Sequence, residues 1–180
     1  MESKRLGLLH EAVPAAKTIA AVFNPANPAV DLQLRDVRDA APRIGVEVVT
    51  FTASDESKFD GIFEAIAQRR AGALLVGADP YFNSRRAHLM ALAAQRRLPA
   101  IYEWRQFAAE GGLMSYGTVL ADAYTEAGRY AGRILNGEKP AELPVLQPTK
   151  FQFVINLKTA KALGLDISPT LSARADEVIE

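Results

Sequence analysis

The chain has 180 residues, nearly half of them apolar and under a quarter charged, which suits one domain of ordinary size with a core to bury. Lys plus Arg equals Asp plus Glu, so the formal net charge is zero, and a basic nucleic-acid-binding face is not expected. No uncharged apolar run of about 18 residues is present, there are no cysteines for disulfides or thiolate metal sites, and the opening MESKRLGLLHEAVP lacks the apolar stretch and small-residue cleavage site of a signal peptide.

In chain order, Lys4 to Val13 reads as a short helix with Leu6, Leu8, Leu9 and Val13 near one face, limited by Pro14. KTIAAVF (17–23) is a continuous apolar run of strand length. PAVDLQLRDVRDAAPRIG follows as a helix with Val30, Leu34, Val37 and Ala41 inward; Pro42 disturbs its last turn and Gly45 ends it. VEVVTF (46–51) is β-branched and aromatic, hence a strand. Ser54 or Asp55 caps the next helix, which turns Phe59, Ile62, Phe63 and Ile66 inward. GALLVGA (72–78), LPAIYE (98–103) and EGGLMSYG (110–117) read as further strands, with helices over SRRAHLMALAAQRR and ADAYTEAGRYAGRILNG.

Strand and helix alternate, and the strands are solidly apolar rather than half polar. That is the mark of βαβ crossovers and a parallel sheet covered on both faces. The expected fold is a three-layer α/β/α sandwich with a Rossmann-like sheet in the order 2-1-3-4-5. After Gly137 the texture changes. EKPAELPVLQPTK is a proline-rich connector, FQFVI is a strand, and NLKTAKALG is a compact helix with Asn156 as N-cap and Gly164 just past its end. SPTLSARADEVIE is a polar tail with little fold signal.

In open parallel sheets ligands sit beyond the carboxyl ends of the strands. Here those ends carry Asn24 and Asn27 (in NPANP), Asp79 and Tyr81 (in DPYF), Tyr102 and Glu103, and Tyr116 and Gly117. Amides, rings and carboxylates on one rim suit a small organic ligand. Each has a plainer reading: Asn27-Pro28 and Asp79-Pro80 are good helix starts, and Tyr102 and Trp104 are good packing residues. Enzyme signatures are absent: no phosphate-binding glycine loop, no nucleophile elbow, and only two histidines, both in helical stretches. The expectation is a binding site without catalytic, cofactor or metal groups.

VFNPANP, GALLVGADPYF, LPAIYEWRQFAAEGGLMSYG, the run from DAYTEAGRYAGRILNG to NLKTAKALGL, and ARADEVIE together resemble the ABC-transporter substrate-binding protein family of the tryptophan/tyrosine type. The resemblance runs nearly end to end. It implies one lobe of a type I periplasmic binding-protein fold, a solute held in an interlobe cleft, an extracytoplasmic location, and delivery to permease and ATPase subunits. An effector-sensing domain of a regulator shares that fold and is the alternative. The resemblance makes residues 1–16 a lead-in helix, 17–137 the second lobe, and 138–180 a hinge connector with a strand and helix that pack on a first lobe. It makes Asn27 the helix cap and leaves Asn24 free to face the ligand. Taken alone, such a chain is expected to bind solute poorly. It is also expected to pair as a homodimer through its uncovered segments 1–13 and 150–180.

Overall fold

The computed structural model describes residues 1–180. Helix α1 (Glu2–Ala12) precedes strand β1 (Thr18–Phe23), and the chain then alternates through α2 (Val30–Ala40), β2 (Glu47–Thr52), α3 (Phe59–Gln68) and β3 (Ala73–Val76). Two helices, α4 (Pro80–Ser84) and α5 (Arg86–Gln95), lead to β4 (Ala100–Tyr102). A short α6 (Arg105–Ala109) lies between β4 and β5 (Met114–Thr118). Then come α7 (Leu120–Leu135), β6 (Phe151–Asn156), α8 (Leu157–Leu163), α9 (Pro169–Ser172) and β7 (Glu177–Ile179).

The strands form a seven-stranded sheet in the order β2-β1-β3-β4-β5-β6-β7. Its first five strands are parallel and follow the expected 2-1-3-4-5 order. Alternation along each strand divides the core in two. Ile19, Ala21, Phe23, Leu75 and Ile101 face α1, α2, α8 and α9. Ala20, Val22, Leu74, Val76 and Tyr102 face α3, α4, α5 and α6. Helices therefore cover both faces, as the unbroken apolar strands require.

Local signals work as elementary chemistry dictates. The Asp55 side chain accepts from the Ser57 N–H at the turn leading into α3. Asn156 caps α8 by accepting from the Thr159 N–H, and Gly164 closes that helix at φ +75°. Pro42 converts the end of α2 into a tight 3-10 turn, closed by Gly45 at φ +70°.

The grouping of segments differs from the expected one. Leu6, Leu8 and Leu9 of α1 are buried against the lobe's own sheet, in the same core as Val37 of α2. Fully burying each such side chain contributes roughly 1.5–3 kcal/mol, so α1 is held firmly. Strand β6 pairs antiparallel with β5 from Met114↔Ile155 to Thr118↔Phe151, and β7 pairs parallel with β6. The polar tail has structure after all. Asp176 accepts from the Phe153 N–H at 2.7 Å, and Arg105 grips Glu177 through two bonds of 2.6 and 2.5 Å. Segments 1–13 and 150–180 thus pack on the same sheet as the rest of the chain, with Phe151 and Val178 left partly exposed at its β6–β7 edge. The uncovered element is α7. Its stripe of Leu120, Ala123, Tyr124, Ala127, Ala131, Ile134 and Leu135 repeats at helical spacing, yet no residue of this helix is buried. Residues 119–150 form a long excursion between β5 and β6, and only its end, at Gln147 and Pro148, lines a groove together with α1 and α2.

Candidate functional site

The loops after β1 and β3 are clasped together by three side chains. Asn24 donates from Nδ2 to Asp79 Oδ1 at 3.1 Å, and Asn27 donates to Asp79 Oδ2 at 2.8 Å and to the Ala78 carbonyl at 3.0 Å. The remaining amide oxygens turn inward on their own loop, Asn24 accepting from the Ala26 N–H and Asn27 from the Ala29 N–H. Asp79 also accepts from the Tyr81 N–H, which starts α4. The doubled Asn-Pro step is therefore accounted for: each asparagine shapes its own turn and also holds Asp79. Asn24 is not free to reach outward. It is buried, with both ends of its amide engaged.

Beside the clasp lies a groove of about 750 Å³, lined by Glu2, Arg5, Gln33, Ala78, Glu103 and Thr118 among others. The size suits a small organic molecule. The first turn of α1 brings Glu2 and Arg5 here, three residues apart on one face. Arg5 Nη2 donates to Glu2 Oε1, and both side chains are almost fully buried. Glu2 also accepts a long bond of 3.5 Å from the Ala78 N–H. Three polar atoms of this pair have no partner in the chain: Arg5 Nε, Arg5 Nη1 and Glu2 Oε2. Burying charged atoms unpaired is costly, which makes this pair an unusual polar element beside the groove. Burial raises the Glu2 carboxyl above its usual range, with Arg5 opposing.

Glu103 follows β4 and lines the same groove. Burial pushes its carboxyl up to about 7; Arg5 pulls the other way, while the negative charges of Glu2 and Asp79 add to the rise. Gly117 lies directly behind it. A Cβ there would come within 2.3 Å of the Glu103 carbonyl oxygen and 2.8 Å of its Cγ, so only glycine allows this approach. Gly117 thus sets the position of Glu103 and does not itself face the groove.

The three tyrosines of the expected rim are turned elsewhere. Tyr102 points to the α3/α5 face because it is one residue on from Ile101, and it stacks on Phe107 with ring centroids 4.3 Å apart. Its burial holds the phenol well above its ordinary range. Tyr81 packs on Phe59 and under the Arg85 guanidinium. Tyr116 stacks on Phe151 and meets Phe153 edge-on across the β5–β6 pair. The structure therefore unites Asn24, Asn27, Asp79, Glu103 and Gly117. It adds Glu2, Arg5 and Gln33, which sequence reading passed over. The spacing E-x-x-R ahead of an apolar helix was the one available sign. A second groove, of about 540 Å³, runs between α7 and residues 146–150. It is walled by a helix with no buried residue and adjoins the first groove through Gln147 and Pro148, which line both.

The family model described as ABC transporter substrate binding protein matches residues 1–179. The chain belongs to this family. Among the relatives of this ABC transporter substrate-binding protein family member is the tyrosine-binding protein of Clostridioides difficile (strain R20291), 24% identical over 162 residues. That match spans 90% of this chain and 47% of the relative, so the chain is about half as long as the curated protein it resembles. A solved structure of an ABC domain in complex with L-Trp from Streptococcus pneumonia superposes with a TM-score of 0.89 at 23% identity, covering 99% of this chain and 60% of that one. A LacI-family transcriptional regulator from Bifidobacterium animalis superposes with a TM-score of 0.63 at 11% identity, over 85% of this chain and 59% of its own. These two likenesses show the fold: that of a type I periplasmic binding-protein lobe. No helix is long and apolar enough to cross a membrane.

Proposed function

We propose that this chain is the ligand-binding lobe of the solute-binding component of an ABC-type importer. The solute is a small organic molecule, with an aromatic amino acid the first candidate. It sits in the groove at the carboxyl ends of the strands and is closed over by a second lobe. The observation that carries this reading is the groove floor, where Arg5 and Glu2 keep three buried polar atoms without partners. A zwitterionic solute supplies both an acceptor for the guanidinium and a donor for the carboxylates. The relatives named for tyrosine and for L-Trp support an amino acid of that kind.

The projecting segment 119–150, with its apolar α7 stripe, is the part we assign to contact with the second lobe. In this reading the protein works outside the cytoplasm and delivers solute to permease and ATPase subunits, with no catalytic step of its own. An effector-sensing domain of a regulator shares the fold, but the family match favours the importer component. Mass spectrometry of small molecules released by denaturing the purified chain tests the reading. An amino acid carried by the wild type and lost from Arg5→Met supports it. A nucleotide or sugar in its place, or an amino acid retained equally by both proteins, contradicts it.

A further inference from the structure

We propose that the side chain of Glu103 receives a primary ammonium group of the solute at the floor of the groove. The inference rests on the solute-binding reading and names the chemistry of one end of the ligand. Three independent observations lead to it. First, Glu103 makes no side-chain hydrogen bond to the protein, although it is substantially buried and lines the groove. Asp79, by contrast, is already saturated by two asparagine amides and the Tyr81 N–H.

Second, the charges around the floor do not balance. Glu2, Asp79 and Glu103 face a single guanidinium, Arg5. The Met1 ammonium also lines the groove but is paired with Asp36, and the α2 wall adds Arg35 and Asp39, so no surplus cation is left. Glu2 lines the same groove and has a buried carboxylate oxygen with no partner in the chain. A ligand bearing one positive charge and several N–H donors completes both carboxylates. Third, the backbone and Cγ of Glu103 lie so close to Gly117 that a Cβ there would come within 2.3 Å of the Glu103 carbonyl oxygen and 2.8 Å of its Cγ, which keeps the base of the side chain against β5 at the groove.

The proton balance follows. Free, the Glu103 carboxyl titrates near 7 because burial disfavours its charge. An ammonium beside it favours the charged form, so binding expels the carboxyl proton to solvent while the ligand keeps its own. Affinity therefore rises with pH up to about neutrality and levels above it. Below that it falls by up to about tenfold per pH step of one.

The test is titration of the isotopically labelled chain, followed by NMR, with each of the twenty common amino acids. The strongest binder is then compared with its desamino analogue at pH 5.5, 7 and 8. The expected result is at least tenfold weaker binding of the desamino compound, and a wild-type affinity that drops at pH 5.5. Glu103→Gln is expected to bind weakly at every pH without that drop, and Glu103→Asp to restore the pH dependence in part. Equal binding of the desamino analogue, or an unchanged pH profile in Glu103→Gln, overturns the inference and leaves the solute-binding reading standing. If no amino acid shifts any resonance, the amino-acid reading itself falls, and the inference falls with it.

Discussion

Replacing Glu103 with Gln removes one ionisable group from the groove and should change how stability depends on pH. In the folded chain its carboxyl is raised from the ordinary 4.5 to about 7, chiefly by burial. A folded state that holds a proton more tightly than the unfolded chain is favoured at low pH. Its advantage is lost as pH rises from about 4.5 to 7, and the loss is complete above that. At ~1.36 kcal/mol for each factor of ten, the full span corresponds to about 3.4 kcal/mol. Glu103 retains some contact with water, and solvent screening brings the expected effect to roughly 1–2 kcal/mol. Chemical denaturation at pH 4.5, 6, 7 and 8 reads this as the difference between wild type and Glu103→Gln. Glu2 shifts in the same direction, while Asp36, Asp55 and Glu177 are lowered and act below this window. To first order these contributions are common to both proteins and cancel. The variant should gain on the wild type steadily from pH 4.5 to 7 and by nothing further above. A difference that is flat across the series, or that favours the wild type at pH 8, refutes the burial argument for Glu103.

Three more outcomes follow from the packing. Leu9→Ala should cost about 2–5 kcal/mol in denaturant unfolding, because Leu9 is fully buried between α1 and the sheet. A loss under 1 kcal/mol would mean that α1 is not part of this lobe. Asp79→Ala should cost about 1–3 kcal/mol, since it strands the amides of Asn24 and Asn27, and it should speed amide exchange at Ala26 and Tyr81. Helix α7 should exchange its amides far faster than β1 and β3, since a helix of 16 residues without buried side chains is marginal by itself. Its open apolar stripe should also drive concentration-dependent association in sedimentation, relieved by Ile134→Glu with Leu135→Glu.

How much of this was legible in the sequence depends on which physical range set each feature. Periodicity placed the parallel core, since the residues of TIAAVF and GALLV are apolar whatever they pair with. Caps at Asp55 and Asn156 and the left-handed Gly164 were readable because they are settled within a few residues. The partners of β6 and α1 were not, because a strand or helix does not carry the identity of the surface it covers. The same limit explains Tyr102. Its position at the end of β4 was right, but the pleat turned its ring to the opposite face from α1. Arg5 escaped notice because a charged residue in a first helical turn ordinarily faces water. Only the meeting of α1 with the ends of β3 and β4 makes it a buried member of the groove. The short helices α4 and α6 have too few residues to show a period.

The central claim is that solute binds at the strand-end groove shaped by the Asn24–Asn27–Asp79 clasp and floored by Arg5, Glu2 and Glu103. Amide chemical-shift mapping of the chain with L-tryptophan and L-tyrosine tests it most directly. The account predicts shifts concentrated at Glu2 to Arg5, Ala78 to Tyr81, Glu103 and Gly117 to Thr118, weakened in Arg5→Met. Shifts confined to α7 and leaving those positions unmoved, or none at millimolar ligand, would contradict it.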